Sequence, residues 1–150
     1  MKAVVQRVEC ASVLVNETVV GRIGPGLLVY LAVVRGDSDR EARRLASKVS
    51  ALRIFPGSSR NMERSVVDVA GGLLVISQFT LAARTERGNR PNFGDAASGA
   101  DAEALYRVFL EGLRACCLDV QSGTFGAMMK VSSVNDGPVT IPLEVLSPKT

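Results

Sequence analysis

The residues best placed for chemistry stand at the end of an apolar run, Leu73-Leu74-Val75-Ile76-Ser77-Gln78-Phe79-Thr80-Leu81. The run reads as a buried strand whose side chains alternate between faces. Leu74, Ile76, Gln78 and Thr80 then share one face, and Val75, Ser77, Phe79 and Leu81 the other. An amide and a hydroxyl so buried cost about 1–3 kcal/mol each without partners. They are either satisfied by neighbouring backbone at a strand end, or they line a pocket. Thr80 as a nucleophile needs an activating base, and no lysine or carboxylate lies near it in sequence. The chain has no histidine, which removes Ser-His-Asp and Cys-His catalysis and histidine-ligated zinc. Thr80 thus stands as a nucleophile served by a distant base, as a group that orients substrate, or only as a backbone donor. Gln78 either reads a substrate or satisfies strand-edge backbone. Ser77 reads as structural, and the Phe79 ring as core packing with an amide still available.

A second chemical element is Asn135-Asp136-Gly137-Pro138-Val139-Thr140. Asn, Asp, Gly and Pro in succession demand special backbone geometry. The segment interrupts two apolar runs, Met128–Val134 and Val139–Val145, so composition predicts a hairpin connection between two strands. Asn135 and Asp136 serve to shape that turn.

Ser77-Gln78-Phe79-Thr80-Leu81 and Asn135-Asp136-Gly137-Pro138-Val139-Thr140 together resemble the two signature motifs of the D-aminoacyl-tRNA deacylases, also called D-tyrosyl-tRNA deacylases. The likeness runs through the chain. It includes Met1-Lys2-Ala3-Val4-Val5-Gln6-Arg7-Val8, Gly24-Pro25-Gly26-Leu27-Leu28-Val29, Leu52-Arg53-Ile54-Phe55, Arg90-Pro91 with Phe93, and Gly123-Thr124-Phe125-Gly126-Ala127-Met128-Met129. Asn92, where the family more often has serine, and Glu63 after Met62, where it more often has asparagine, depart from it.

The resemblance implies an enzyme that hydrolyses the ester of D-aminoacyl-tRNA, and of glycyl-tRNA, as chiral proofreading in translation. It implies catalysis assisted by the 2′-OH of the terminal ribose, with the amides around Phe79 and Thr80 holding the developing oxyanion. It also implies a cis Gly137-Pro138 bond whose carbonyls enter the partner subunit's site and occupy the space an L side chain would need. Arg7 would donate to those carbonyls across the dimer interface, or is a solvated strand-edge charge. Phe125 and Met129 resemble residues beside the site, with core packing as the alternative. In Arg84-Thr85-Glu86-Arg87-Gly88-Asn89-Arg90-Pro91-Asn92-Phe93, Arg87 and Arg90 suit phosphate contacts, unless this is simply a solvated loop. No metal and no organic cofactor is expected. Two other functions remain: a Thr80-dependent hydrolase of a small amide or ester, and a non-catalytic, β-rich RNA-binding module.

The elements that must position these residues fit one domain of 150 residues. Hydrophobic residues make up 47% and aromatics 5%, without tryptophan, so Val, Leu, Ile and Ala must fill the core. The net charge of +3 permits an RNA partner without demanding one. Cys10, Cys116 and Cys117 lack metal-ligand spacing. With no bilayer-length apolar run and no leader pattern at Met1, a cytoplasmic protein without a membrane partner is expected.

Ser38-Asp39-Arg40-Glu41 resembles a capping box. Ala42, Leu45, Ala46, Val49 and Leu52 follow at helical spacing, as do Leu105, Val108, Phe109, Leu113 and Cys116 for a second helix. Val13–Val15 and Val19–Ile23 flank Asn16-Glu17 as a hairpin. Leu27–Val33, Arg53–Phe55, Val66–Val69, Leu73–Leu81, Met128–Val134 and Val139–Leu146 are further strand candidates. An α+β domain follows. The resemblance adds a mixed, strongly curved, barrel-like sheet with outer helices, assembled as a homodimer.

Overall fold

The computed structural model describes residues 1–86, 88–117 and 119–147. Its frame is a mixed sheet built on one long strand, β1 (Lys2–Val15). One edge of β1 is shared by β2 (Thr18–Ile23), which pairs with Ala11–Val15, and β3 (Gly26–Ala32), which pairs with Lys2–Val8, both antiparallel. The β1–β2 connection is the expected hairpin. Asn16 and Glu17 both have positive φ, +48° and +62°, as the tight turn between right-twisted strands requires. β4 (Gly72–Ser77) runs parallel to β3, and β5 (Val120–Ser122) parallel to β4. Gly26 and Gly72 open β3 and β4 side by side. A Cβ on Gly26 would lie 1.9 Å from the Gly72 carbonyl oxygen, so only glycine admits this approach. The last strand, β6 (Lys130–Glu144), lies antiparallel along the other edge of β1.

Two helices cover the sheet. α1 (Asp39–Ala51) starts at the predicted capping box: Ser38 Oγ accepts from the Arg40 amide at 3.3 Å, and the Glu41 carboxylate accepts from the Ser38 amide at 3.0 Å. It buries Ala42, Leu45, Ala46 and Val49. α2 (Gly99–Arg114) buries Tyr106, Phe109, Leu110 and Leu113. The helix ends before Cys116, and Cys117 is the buried thiol of the pair.

Both faces of the curved sheet are apolar. Val5, Leu27, Val29, Leu31, Leu73 and Val75 pack toward the helices. Val8, Ala11, Val13, Ile23, Leu28, Leu74 and Ile76 form a second core on the inner face. The near-continuous apolar reading of β3 and β4 follows from burial on both sides.

Three strand expectations need correction. Arg53–Phe55 contributes a single bridge, Phe55 to Arg64. Val66–Val69 is a turn, closed by the Ala70 and Gly71 amides donating to Val67 and Val66. Met128–Val134 and Val139–Leu146 are not joined by a hairpin: β6 continues through Asn135–Thr140 as one strand, paired with β1 on both sides of a bulge. Pairing with a single continuous partner holds the two halves in line, whatever turn their junction suggests. Among the described residues no helix is long and apolar enough to cross a membrane.

Candidate active site

β4 carries the polar residues to the end of the sheet, but the strand stops at Ser77. The Gln78 amide makes a last bond to the Leu31 carbonyl at 2.7 Å. Gln78 then leaves strand geometry, with φ −143° and ψ 75°, and Phe79–Ala82 forms one turn of 3-10 helix. The alternation expected through Leu81 therefore fails beyond Ser77. Phe79 is not core: it is 58% exposed and meets Phe93 edge to face, with centroids 5.1 Å apart. Gln78 and Thr80 do come together, through the turn instead of through a shared strand face, and Gln78 Nε2 donates to Thr80 Oγ1. An amide cannot take a proton from that hydroxyl. The Leu81 and Ala83 amides close the turn onto Gln78 and Thr80. The amides of Phe79 and Thr80, at its start, find no acceptor among the described residues.

A cavity of about 550 Å3 opens beside this corner. Ser77, Gln78 and Phe79 form one wall, and Phe125 and Met129 another. Both of the latter are half-buried and pack against the two cores; Met128 between them is 92% exposed. Thr80 lies next to the lining. Tyr106 also lines it, and sequence reasoning passed it over, because at helical spacing an α2 tyrosine reads as core. Its hydroxyl donates to the Val75 carbonyl at 2.8 Å, which ties α2 to β4 just ahead of Ser77. Burial pushes its phenol up to about 12, partly offset by Ser122 and Arg114, so at neutral pH it is a donor and not a base. Phe93 stands out in the sequence only as part of a motif; its ring contact with Phe79 arises from a long loop that no local pattern predicts.

Gly137 and Pro138 do not line this cavity. They sit in β6 opposite Arg7. Register runs Val8 to Asn135 and then Gln6 to Thr140, so Asp136, Gly137, Pro138 and Val139 together face Arg7 alone and must bow outward. The Gly137-Pro138 bond is cis, and both residues are exposed. Gly137 has φ +132°, a conformation that side chains disfavour. The Asn135 side chain accepts from the Val139 amide at 3.0 Å, bridging the bulge. Arg7 finds acceptors within its own chain. Nε lies 3.1 Å from the Asp136 carbonyl oxygen and 3.0 Å from the Asp136 carboxylate. Nη1 donates to the Ile54 carbonyl at 2.6 Å.

In the 84–93 loop, Arg84 pairs with Asp95, and backbone bonds between Arg84 and Asn92 pin the loop's base. Arg90 is exposed. Arg87 lies outside the described residues. No group of three or more Cys, Asp or Glu is placed to hold a metal ion among the described residues.

A family model described as D-Tyr-tRNA(Tyr) deacylase matches residues 4–144. The chain belongs to this family. It is 56% identical over 146 residues to the D-aminoacyl-tRNA deacylase of Aromatoleum aromaticum, covering 97% of this chain and 96% of that one. To the D-aminoacyl-tRNA deacylase of Paracoccus denitrificans it is 55% identical over 141 residues, 94% and 95% of the two chains. A solved structure described as c-Myc DNA Unwinding Element Binding Protein superposes with a TM-score of 0.93 at 41% identity, covering 98% of this chain and all of that one. A probable eukaryotic D-amino acid tRNA deacylase, 20% identical, superposes at 0.83 over 96% and 98% of the two chains and shares the fold. The enzyme is an ester hydrolase of the D-aminoacyl-tRNA deacylase type.

Proposed function

We propose that the enzyme cleaves the ester between a D-amino acid and the terminal ribose of tRNA in the cytoplasm, and that its chiral filter is the Gly137-Pro138 backbone of a second copy. One observation carries this reading: the cavity beside Ser77–Thr80 has amides to offer but no base among the described residues, while the exposed Gly137-Pro138 lies outside the cavity of its own chain. Two such halves are complementary across a symmetric pair, each copy lending its bulge to the other's cavity.

The chemistry asks little of ionisable side chains. The ester is intrinsically labile, and the neighbouring ribose 2′-OH can activate water or polarise the carbonyl. The Phe79 and Thr80 amides would hold the oxyanion, Gln78 would orient Thr80 or the ribose, and Ser77, Phe125 and Met129 would shape the pocket. Arg7, bonded to Asp136, would hold the bulge at its working angle. Positioning then supplies most of the acceleration. A backbone wall excludes by direction, so glycyl-tRNA passes along with D-aminoacyl-tRNA. Arg87 and Arg90 would contact tRNA phosphate, and no metal or cofactor takes part.

The test is hydrolysis of matched D-alanyl-, glycyl- and L-alanyl-tRNA, with and without a chelator. Cleavage of the first two alone, unaffected by chelation, is expected. Equal cleavage of L- and D-alanyl-tRNA would remove the filter. Verified hybrids of a Gly137→Val protein with a Gln78→Ala protein should regain D-selective turnover, joining the intact corner of one copy to the intact bulge of the other; hybrids no more selective than Gly137→Val alone would remove the cross-subunit arrangement.

A further inference from the structure

α1 carries a row of cations that neither the fold nor the ester chemistry uses. Arg40, Arg43, Arg44 and Lys48 lie on its exposed face, opposite the buried Ala42, Leu45, Ala46 and Val49. None of the four forms an ion pair among the described residues, whereas exposed Arg84, Arg107 and Lys130 pair with Asp95, Glu103 and Glu17. The acids nearest the row are mostly occupied. Asp37 receives the amino terminus at 2.8 Å and the Val34 amide at 2.8 Å. Glu41 is bound by Ser38, whose hydroxyl holds its carboxyl below the ordinary range. Only Asp39 is left exposed in the first turn.

The segment that leads into this helix shares a groove with Phe79 of the corner. This groove of about 870 Å3 is lined both by Phe79 and Phe93 and by Val34–Asp37, the segment leading into α1. Exposed Arg35 stands along it. Asp101, which also lines the groove, is engaged by the Ser98 hydroxyl at 2.6 Å. A strand whose terminal ester reached the cavity past Phe79 would be led by this groove toward the start of α1. Arg40, Arg44 and Lys48 follow at four-residue intervals, so they span roughly 12 Å on one side of the helix. A duplex shows a phosphate on each strand about every 3.4 Å of axis, so this length faces three or four of them.

Resting on the deacylase reading, we propose that α1 is the docking surface for the tRNA acceptor stem, with Arg40, Arg44 and Lys48 tracking the phosphates of one strand and Arg43 flanking them. The single-stranded 3′ end then lies in the groove between Phe79 and Arg35. The stem is held by charge without base reading, so binding is broad across tRNAs and strongly salt-dependent.

The experiment compares wild type with the triple variant Arg40→Gln/Arg44→Gln/Lys48→Gln, all exposed helical positions where glutamine keeps helix propensity. Arg107→Gln, which removes a cation already paired with Glu103, is the control. Affinity for tRNA is measured across a potassium chloride series, alongside affinity for a short single-stranded oligonucleotide ending in the tRNA 3′ sequence. The triple variant should lower the slope of log affinity against log salt by about 2 to 3. It should weaken tRNA binding at low salt by roughly tenfold or more, while the short oligonucleotide binds as before and Arg107→Gln changes little. An unchanged slope, or equal losses on tRNA and oligonucleotide, overturns the proposal. Turnover of a D-aminoacyl ester of the short oligonucleotide judges the other reading separately: if wild type fails there but the triple variant still loses its slope, the stem surface stands and the deacylase chemistry falls.

Discussion

The corner at Ser77–Thr80 and the bulge at Asp136–Val139 both present backbone, by opposite means. At the corner a buried strand ends, and the turn that follows leaves the Phe79 and Thr80 amides without an acceptor among the described residues. At the bulge the strand does not end: β6 stays bonded to β1 on both sides and slips register around Arg7. The first presents backbone donors beside a cavity. The second presents backbone on an exposed surface, held by Arg7 and Asn135 around a glycine with positive φ. Chemistry that depends on backbone geometry survives many side-chain changes but few changes in conformation. That difference orders the following expectations.

The largest effect should come from Gly137→Val. Its Cβ would stand 2.8 Å from Val139 Cγ2 and 3.2 Å from Arg7 Nη2, at a φ that β-branched residues avoid. The bulge should rearrange at a cost of about 1–3 kcal/mol, and discrimination between D- and L-alanyl-tRNA should fall by at least roughly tenfold, since about 1.4 kcal/mol is a factor of ten. Retention of the full D/L ratio in a variant that still folds would show that the bulge is not the filter.

Arg7→Leu comes next. It leaves the Asp136 and Ile54 carbonyls without their donor, and urea unfolding should register a loss of about 1–3 kcal/mol. The D/L ratio should fall more than D-alanyl turnover does. A loss of stability alone would make Arg7 a fold residue only.

At the corner, Tyr106→Phe removes the bond to Val75 and should cost about 1 kcal/mol. It also sharpens a pH dependence. The folded phenol is pushed up to about 12 from an ordinary 10.0. Its contribution is therefore complete below pH 10 and is lost as pH rises toward 12. Cys117, pushed by burial from 9.0 to about 12, adds to the same decline. Stability measured between pH 9 and 12 should fall in wild type and less steeply in Tyr106→Phe; parallel curves would contradict the assignment.

The smallest effect belongs to Thr80→Ala. Its hydroxyl is held by the Gln78 amide, and its own amide survives the change. Turnover should drop by less than about fivefold, under about 1 kcal/mol, against the roughly 10⁴–10⁶-fold losses that follow removal of a true nucleophile or its base. An acyl-Thr80 adduct seen by mass spectrometry during turnover would reverse the interpretation.

Elements ruled by local signals were legible in the sequence. Ser38 and Glu41 announced α1, apolar spacing marked both helices, and Asn16-Glu17 marked the first hairpin. The corner was legible as a place where polar residues meet a buried strand. Its geometry was not, because Leu73–Leu81 keeps its apolar pattern across a strand end that is set by where β3 runs out: Ala32 closes β3, and the last bond made alongside it is Gln78 to Leu31. The Asn135–Thr140 segment shows the reverse failure. Its composition says turn, yet β1 extends far enough to pair with both flanks.

The amino-acid sequence by itself determined which residue types could act: no histidine, one threonine beside a glutamine, and a Gly-Pro pair set among turn formers. It also determined the helices and the two apolar faces of the central strands, since propensity, capping and periodicity act within a few residues. Tertiary structure alone decided that Phe79 faces solvent against Phe93, that Tyr106 anchors the strand before the corner, and that the Val34–Asp37 segment leading into α1 shares a groove with Phe79. Those outcomes depend on contacts between residues far apart in the chain, and no local pattern encodes which distant backbone will be there to accept a bond or cover a ring.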